Sequence, residues 1–223
     1  MTRSKTGEHL YRHRYIYLFI ATMLQVFLTS FIPTDTILPI DAIVYSFFIL
    51  MILNMVRHSR KLILIMLLLG TLGMVLVWIR QALPVGTAYL VFQRAVFGIF
   101  IALIIYHIMV QIIKSHEVDA TVIFGAITIY ILFGMLAGEA NLIIQAIDPR
   151  AFTGNVDLND SFGIRYYSFV TITTLGYGDI SPVSQVARTA SVFFALIAQI
   201  YLAVIIAFIV GKLVAHSGRK NND

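Results

Sequence analysis

The 223-residue sequence contains no cysteine and a single tryptophan, and few of its residues are charged. Without cysteine, neither disulfides nor thiolate metal sites can form. Charged residues make up 12% of the chain and hydrophobic residues 59%, whereas soluble domains carry roughly 25% charged residues. The mean hydropathy is +0.88. So few charges cannot cover so much apolar surface in water, and the expected solvent is a lipid bilayer.

The basic and histidine residues also lack the arrangements typical of metal or nucleic-acid sites. His9 and His13 would share a helix face, but Arg12 and Arg14 adjoin them, so we interpret this segment as facing solvent or lipid headgroups rather than a metal. The formal net charge is +5. Because the basic residues cluster at the ends of apolar runs instead of forming a stripe, no nucleic-acid partner is expected.

Six apolar runs are long enough to cross a bilayer, whose hydrocarbon core requires roughly 20 residues of helix. They are Tyr15–Ile32, Ile37–Val56, Leu62–Ile79, Ala88–Ile113, Thr121–Ile147 and Val186–Val214. Between the last two lie a polar stretch, Asp148–Asp160, and a half-apolar segment, Ser161–Thr173, that is too short to span. A glycine-rich string follows directly. This order predicts a re-entrant loop, whose irregular backbone is tolerated only where it lines water or is buried in protein.

The distribution of Lys and Arg predicts the orientation of these spans, because such residues accumulate on the cytoplasmic side. One side collects the basic residues Arg3, Lys5, Arg12, Arg14, Arg57, Arg60, Lys61, Lys114, Lys212, Arg219 and Lys220. The other side collects Asp35, Asp41, Asp148, Asp157, Asp160 and Asp179, with Arg80, Arg150 and Arg188 as exceptions. Both termini are therefore expected in the cytoplasm, with the re-entrant loop facing outward.

The string Thr-Ile-Thr-Thr-Leu-Gly-Tyr-Gly-Asp, residues 171–179, has what a row of ion-binding carbonyls requires. Potassium is selected when backbone carbonyls replace its water shell, so successive carbonyls must point the same way. An ordinary strand alternates them, and aiming them alike demands positive φ, which glycine adopts at little cost. Gly176 and Gly178 stand at alternate positions, Thr174 adds a hydroxyl at the inner end, and Tyr177 can brace the loop from behind.

Residues 174–179, Thr-Leu-Gly-Tyr-Gly-Asp, resemble the signature of potassium channels, usually Thr-Val/Ile-Gly-Tyr-Gly-Asp. The resemblance covers the helix–loop–helix unit Asp119–Ser217, and Leu175 departs from the commoner Val or Ile. It implies a selectivity filter formed by Thr174, Leu175, Gly176, Tyr177 and Gly178. It also implies that K⁺, the permeant ion, binds at the carbonyls of the first four of these residues and at the threonine hydroxyl. No other cofactor and no enzymatic reaction are expected.

Five further residues are candidates for supporting the filter. Thr173 and Asp179 flank it in the sequence. Tyr166 and Tyr167 stand where voltage-gated relatives carry an aromatic pair, which implies a cuff whose hydroxyls reach the filter or Asp179; ordinary interfacial aromatics are the alternative. Glu139 resembles the glutamate of an Ala-Glu-Ala in those relatives, which implies a hydrogen bond to the backbone near the start of the sixth helix. A glutamate reaching the membrane interface is the alternative.

Gln199 is a lone amide within the sixth apolar run, and Leu202, Ala203 and Ile206 fall on the same helix face. A polar side chain in a membrane helix turns toward water or toward a partner helix. We expect Gln199, Leu202 and Ile206 to line a central cavity below the filter, with a helix–helix contact of Gln199 as the alternative.

The runs that precede the pore unit invite comparison with a voltage sensor, which needs several charges per subunit. Run Ala88–Ile113 offers Arg94, with His107 as a weak second and Lys114 at its inner end. Strong voltage gating is therefore rejected, and Arg94 is expected to pair with a loop acid or a carbonyl. Residues 184–210 contain neither Gly nor Pro. Without such a hinge, gating at the filter or a permanently wide inner mouth is expected.

The sequence thus predicts an all-α membrane protein with six transmembrane helices and with a re-entrant pore helix and selectivity filter between helices five and six. Its expected divisions are a basic N-terminus (1–14), a four-helix domain without sensor charges (15–118), a pore domain (119–217) and a tail (218–223). Because one chain carries one filter and the family closes its pore with four, a homotetramer is expected. The expected function is passive, selective K⁺ conduction across the cell membrane; a weakly selective cation channel and a non-conducting assembly subunit are the alternatives.

Overall fold

The computed structural model describes residues 13–31, 43, 46–49, 60–115, 119–154 and 161–220, and these are mostly helical. The helices are α1 (Arg14–Phe31), α2 (Arg60–Ala82), α3 (Thr87–Lys114), α4 (Ala120–Ile147), α5 (Ser161–Ile172) and α6 (Gln185–Lys220). The predicted second span, Ile37–Val56, lies almost entirely outside the described residues. A total of six membrane helices therefore stays a prediction.

Four of these helices are long and apolar enough to cross a bilayer: Leu64–Ala82 within α2, all of α3, all of α4, and Gln185–Lys212 within α6. Helix is the stable form of such segments in lipid, because it pairs the backbone amides and carbonyls within the segment. The ends of α2, α3 and α4 lie within a few residues of the predicted ends. The chain is therefore a multi-pass membrane protein.

Helix α4 begins at a side-chain cap. Asp119 lies just before the helix, and its Oδ1 accepts hydrogen bonds from the amide of Val122 at 2.9 Å and from the hydroxyl of Thr121 at 2.7 Å. Burial raises the pKa of Asp119, but these hydrogen bonds favour the carboxylate and together hold the pKa below its ordinary value. The charged form thus satisfies an amide that the first turn leaves unpaired.

Two short strands, β1 (Phe152–Gly154) and β2 (Ile180–Pro182), form an antiparallel pair that the all-helical prediction did not include. Phe152 pairs with Pro182, and Gly154 pairs with Ile180. A Cβ atom added at Gly154 would lie 2.6 Å from the carbonyl oxygen of Asp179, so this close approach requires glycine. The pairing holds the segment after α4 against the segment that follows residues 174–178.

Helix α4 lies at the centre of the described helices, where α1, α3, α5 and α6 all pack on it. Ile129 of α4 and Phe100 of α3 are fully buried in the same apolar cluster. A Cβ atom added at Gly134 would lie 2.3 Å from the ring of Phe169 on α5. In lipid, where helices associate through packing, small residues allow such close approach. Gly134 therefore lets α4 fix the position of α5.

Candidate functional site

The short helix α5 carries the chain to the segment with the expected filter residues. Its 12 residues amount to about 18 Å of helix, which is shorter than a hydrocarbon core of roughly 30 Å. Beyond Ile172 the amides still bond back onto α5: Thr173 to the carbonyl of Phe169 at 3.0 Å, and Leu175 to the carbonyl of Val170 at 3.0 Å. The chain thus leaves the helix through a tight turn and continues as irregular backbone.

The backbone of residues 174–178 alternates in handedness. Thr174, Gly176 and Gly178 have φ of 61°, 58° and 79°. Positive φ at the two glycines was expected from the sequence. Positive φ at Thr174 was not, because a β-branched residue strains there, at a cost of about 1–2 kcal/mol. Strain of this kind persists where surrounding contacts impose it and is concentrated at functional sites.

The carbonyls of this segment find no partner within the described part of the chain. Among the described residues, no hydrogen bond reaches the carbonyl oxygens of Thr174, Leu175, Gly176 or Tyr177. The side chains are open as well, with Leu175 58% and Tyr177 66% exposed. In an ordinary strand successive carbonyls point to opposite sides. Positive φ at every second residue removes this alternation, so that successive carbonyls can point to the same side. A run of unpaired carbonyls at membrane depth requires water or an ion in front of it.

The two tyrosines of α5 reach different elements. The hydroxyl of Tyr166 donates to Oδ2 of Asp179 at 2.8 Å, just after the filter segment, and Asp179 Oδ1 accepts from the amide of Ile180 at 3.1 Å. The hydroxyl of Tyr167 instead lies 2.6 Å from Oγ of Ser191 on α6. Tyr166 therefore contacts the residue that follows 174–178, whereas Tyr167 joins α5 to α6.

At the other end of the filter segment, three helices meet at one atom. The carbonyl oxygen of Ile172, the last residue of α5, accepts a hydrogen bond from the hydroxyl of Tyr130 on α4 at 3.0 Å. It accepts another from Nε2 of Gln199 on α6 at 2.9 Å. The sequence had singled out Gln199 but not Tyr130, since a tyrosine in a membrane helix carries no distinctive signal. Nearby, Thr173 Oγ1 donates back to the carbonyl of Phe169 at 2.7 Å.

The remaining expected cavity residues lie further along α6. Leu202 is half-buried in the single chain, whereas Ile206 is exposed. Gln199 is an exposed residue overall although its amide group is engaged with Ile172. Their position around a shared cavity stays a prediction, because it depends on further copies of the chain.

Glu139 is the centre of a charged cluster, the arginine–glutamate triad. Its carboxylate contacts Arg94 of α3 at 3.2 Å and Arg165 of α5 at 3.0 Å, and its side chain is only 2% exposed. Arg94 also donates to Oγ of Ser161 at 3.0 Å. Sequence reasoning gave Glu139 a backbone partner near the start of α6. The structure gives it two arginines instead, and it gives Arg94 a carboxylate on a neighbouring helix rather than in a loop.

No metal centre accompanies this site in the described part of the chain, where no group of three or more His, Asp or Glu residues is placed to hold an ion. His9, one of the pair considered above, lies outside the described residues. Residues 174–178 themselves offer backbone and hydroxyl oxygens, which are ligands that suit a hard cation such as K⁺.

The comparison with known families agrees with this geometry. Residues 119–215 match a family model described as "Ion channel". The match covers somewhat less than half of the chain and includes α4, α5, the filter segment and most of α6. No curated protein and no solved structure matches the chain. Residues 119–215 are thus similar to ion channel domains, which supports the resemblance to potassium channel pores for this part of the molecule.

Proposed function

We propose that four copies of this chain form a potassium-selective channel that conducts K⁺ passively through a filter of residues 174–178. The observation that carries the proposal is the alternation of positive φ at Thr174, Gly176 and Gly178. It occurs along a run of carbonyls that accept no hydrogen bond from the described residues. Stacked rings of such oxygens, one from each copy, replace the hydration shell of the ion.

The exposure of the filter in one chain supports assembly around an axis. Leu175 and Tyr177 are more than half exposed, and no described residue donates a hydrogen bond to the carbonyls beside them. Lipid cannot satisfy such backbone, so the surface must face water or protein. A closed ring of identical chains meets that need for every copy. The family resemblance supports four copies.

Individual residues then take distinct roles in this proposal. The carbonyls of Thr174, Leu175, Gly176 and Tyr177 bind K⁺, and the hydroxyl of Thr174 completes the innermost site. Tyr166 holds the outer end through Asp179. Gln199, Leu202 and Ile206 line the cavity below. Both termini lie in the cytoplasm, because the flanking Lys and Arg are attracted to that side of the cell membrane.

Weak or absent voltage gating belongs to the same proposal. Arg94, a basic residue within α3, is engaged with Glu139 and Ser161. A gating charge must move through the membrane field, and several per subunit are needed for steep voltage dependence. An arginine paired with a buried carboxylate on α4 is a structural contact rather than a mobile charge.

Reconstitution into liposomes with a potassium gradient tests conduction. We expect K⁺ flux from the wild-type chain and none from Gly176→Ala, because alanine strains at φ of 58°. Gly86→Ala is a matched control, since a Cβ atom meets nothing within 4 Å at either glycine and Gly86 has φ of −85°. We expect Gly86→Ala to conduct like the wild type. Equal flux from both variants would contradict the filter assignment.

Bilayer recording with ion substitution tests selectivity. The reversal potential should follow the K⁺ gradient and ignore Na⁺. Ba²⁺, which resembles K⁺ in size but carries twice the charge, should lodge near Thr174 and block the current. A reversal potential that is indifferent to exchange of Na⁺ for K⁺ would indicate a weakly selective cation channel. Absence of any flux from a folded, assembled wild type would indicate a non-conducting assembly subunit.

A further inference from the structure

The last carbonyl of the pore helix α5 is unusual in having two side-chain partners. A helix leaves its final four carbonyls without intrahelical partners, and these carry its partial negative charge. At the inner end of a filter they would ordinarily meet water. The carbonyl of Ile172 instead accepts hydrogen bonds from Tyr130 at 3.0 Å and from Gln199 at 2.9 Å. Both lone pairs of this oxygen are thereby used.

The two donors come from different membrane helices, Tyr130 from α4 and Gln199 from α6. One oxygen atom therefore joins three helices, and Ile172 itself is only 1% exposed. The strained residue Thr174 follows two positions later, and its amide bonds back to the carbonyl of Thr171 at 3.1 Å. Because this turn is so short, a displacement of the Ile172 carbonyl must displace the first residue of the filter.

We infer that Tyr130 and Gln199 are positioning residues that hold the filter in its conducting shape and make conduction depend on the position of α6. The inference rests on the proposed channel function and adds a regulatory contact to it. Helix α6 is continuous from Gln185 to Lys220, and residues 185–210 contain no Gly or Pro. Within residues 185–210, a movement of α6 is therefore carried along the helix to Gln199.

The distance of the Gln199 contact makes it sensitive to such movement. At 2.9 Å it lies well within hydrogen-bonding range, and a shift of α6 by roughly 1 Å would take it out of that range. The Ile172 carbonyl would then keep Tyr130 as its single side-chain donor. With one hydrogen bond fewer at this carbonyl, the turn that imposes positive φ on Thr174 can move. Movement of this turn lowers the discrimination between K⁺ and Na⁺.

A second contact between α4 and α6 offers a matched control. The hydroxyl of Tyr201 on α6 donates to the carbonyl of Ala126 on α4 at 2.8 Å. This contact joins α4 and α6, the two helices that carry Tyr130 and Gln199. Like Tyr130, Tyr201 donates its hydroxyl to a backbone carbonyl. Its partner atom, however, belongs to α4 and not to α5. Its loss should weaken helix packing without touching the filter.

The experiment compares Tyr130→Phe, Gln199→Met, the double variant and Tyr201→Phe in the full-length chain reconstituted into liposomes. The readouts are the permeability ratio of K⁺ to Na⁺ and the Ba²⁺ concentration that halves the flux. Each single variant at Tyr130 or Gln199 should lower the K⁺ preference about threefold, since one donor remains. The double variant should lower it about thirtyfold or more, beyond the product of the two, because the carbonyl is then unpaired.

The control decides between a positioning role and a merely structural one. Tyr201→Phe should keep the wild-type permeability ratio and Ba²⁺ sensitivity, even though its thermal stability falls as much as that of Tyr130→Phe. Equal permeability ratios in Tyr130→Phe and Tyr201→Phe would overturn the inference while leaving the proposed function intact. A wild type that shows no K⁺ flux would remove the proposed function itself, so the two failures are distinguishable.

Discussion

Helices α4 and α6 both flank the filter and are both apolar, yet the chain surrounds them to very different extents. In the most apolar window of α4, 56% of the residues are buried by the rest of the chain, against 17% for α6. Composition does not cause the difference, because the mean hydropathy of the two windows is similar at 2.2 and 2.7. Among the described residues, α4 therefore finds its packing partners within one chain, whereas most of α6 does not.

The exposed surface of α6 is continuous and apolar. It includes Val192, Phe193, Leu196, Ile200, Val204, Ile206 and Val210, each more than half exposed. Helix α6 is fastened to the chain at separated points instead, among them Ser191 to Tyr167, Tyr201 to Ala126, and Lys212 to the carbonyl of Ser115. Lipid and neighbouring copies can cover the rest, as the proposed tetrameric channel requires.

Labelling of single introduced cysteines should show the largest difference in accessibility between α4 and α6. The chain has no cysteine of its own that could react. Val204 is 62% exposed and Ile129 is fully buried. We expect a membrane-permeant maleimide to modify Val204→Cys more than Ile129→Cys, as mass spectrometry of the folded protein in detergent would measure. Equal modification at both positions would show that α4 is no better enclosed than α6.

Loss of charge from Glu139 should produce the next largest effect. Glu139→Gln leaves Arg94 and Arg165 without their carboxylate, and breaking a buried charge contact of this kind costs about 3 kcal/mol of stability. Arg188→Gln on α6 is the matched control, because its exposed guanidinium bonds to the carbonyl of Pro182. Such a surface change costs about 0.5 kcal/mol or less.

The measurement is the thermal denaturation midpoint of each purified variant in the same detergent. A large fall for Glu139→Gln and almost none for Arg188→Gln would support the comparison. A similar midpoint for both would mean that the arginine–glutamate triad is not enclosed as the structure shows.

Replacement of one glycine by alanine in each of α4 and α6 allows the same comparison of packing, with a smaller expected effect on stability. A Cβ atom at Gly134 on α4 would lie 2.3 Å from the ring of Phe169, whereas at Gly211 on α6 it would meet nothing within 4 Å. Gly134→Ala should destabilise by about 1–3 kcal/mol through overpacking. Gly211→Ala should be neutral or stabilise slightly, since alanine favours helix by about 1 kcal/mol over glycine. Denaturation midpoints that fall equally would place Gly211 in a packed contact between copies.

Removal of the N-terminal caps of α4 and α6 should have the smallest effect on stability, and at α4 this effect should depend on pH. Asp119 caps α4 and Ser184 caps α6, with Ser184 Oγ accepting from the amide of Ala187 at 3.2 Å. Replacement of either by Ala should cost about 1 kcal/mol at neutral pH. The cost at Asp119 should disappear in acid, because a lowered pKa means stability that is present above the ordinary pKa and lost as the pH falls through the lowered one.

Asn at position 119 tests the cause of that pH dependence. Asn caps about as well as Asp but does not titrate, so Asp119→Asn should keep the stability of the wild type at neutral pH and lose none of it in acid. Ser184→Ala should show the same deficit at both pH values. Melting profiles at the two pH values check this, and a pH-independent deficit for Asp119→Ala would refute a titrating cap.

The four described spans and the positive φ at Gly176 and Gly178 could be predicted from the sequence because each depends on local signals. Long apolar runs specify helix in lipid, and the ends of α3 and α4 lie within one residue of those predicted. The alternate glycines likewise indicate backbone that only glycine adopts readily. Helix α6 extends to Lys220, beyond the predicted end at Val214, because hydropathy marks where the apolar part stops and not where helix stops.

The contacts that support the filter could not be predicted in the same way. Strands β1 and β2 have three residues each, which are too few to show the alternation of polar and apolar residues that predicts a strand. The sequence indicated that Glu139 needs a partner, but Arg94 and Arg165 lie 45 and 26 residues away along the chain, and spacing does not show which arginine comes near. Positive φ at Thr174 is imposed by its surroundings and opposed by its residue type.

The length of α6 has a consequence for its two ends. Its 36 residues extend about 54 Å, well beyond a hydrocarbon core of roughly 30 Å. Roughly 24 Å of α6 therefore lies outside the hydrocarbon unless the helix tilts. The tips of this helix are then within reach of lipid headgroups and water, far from the residues that the bilayer encloses.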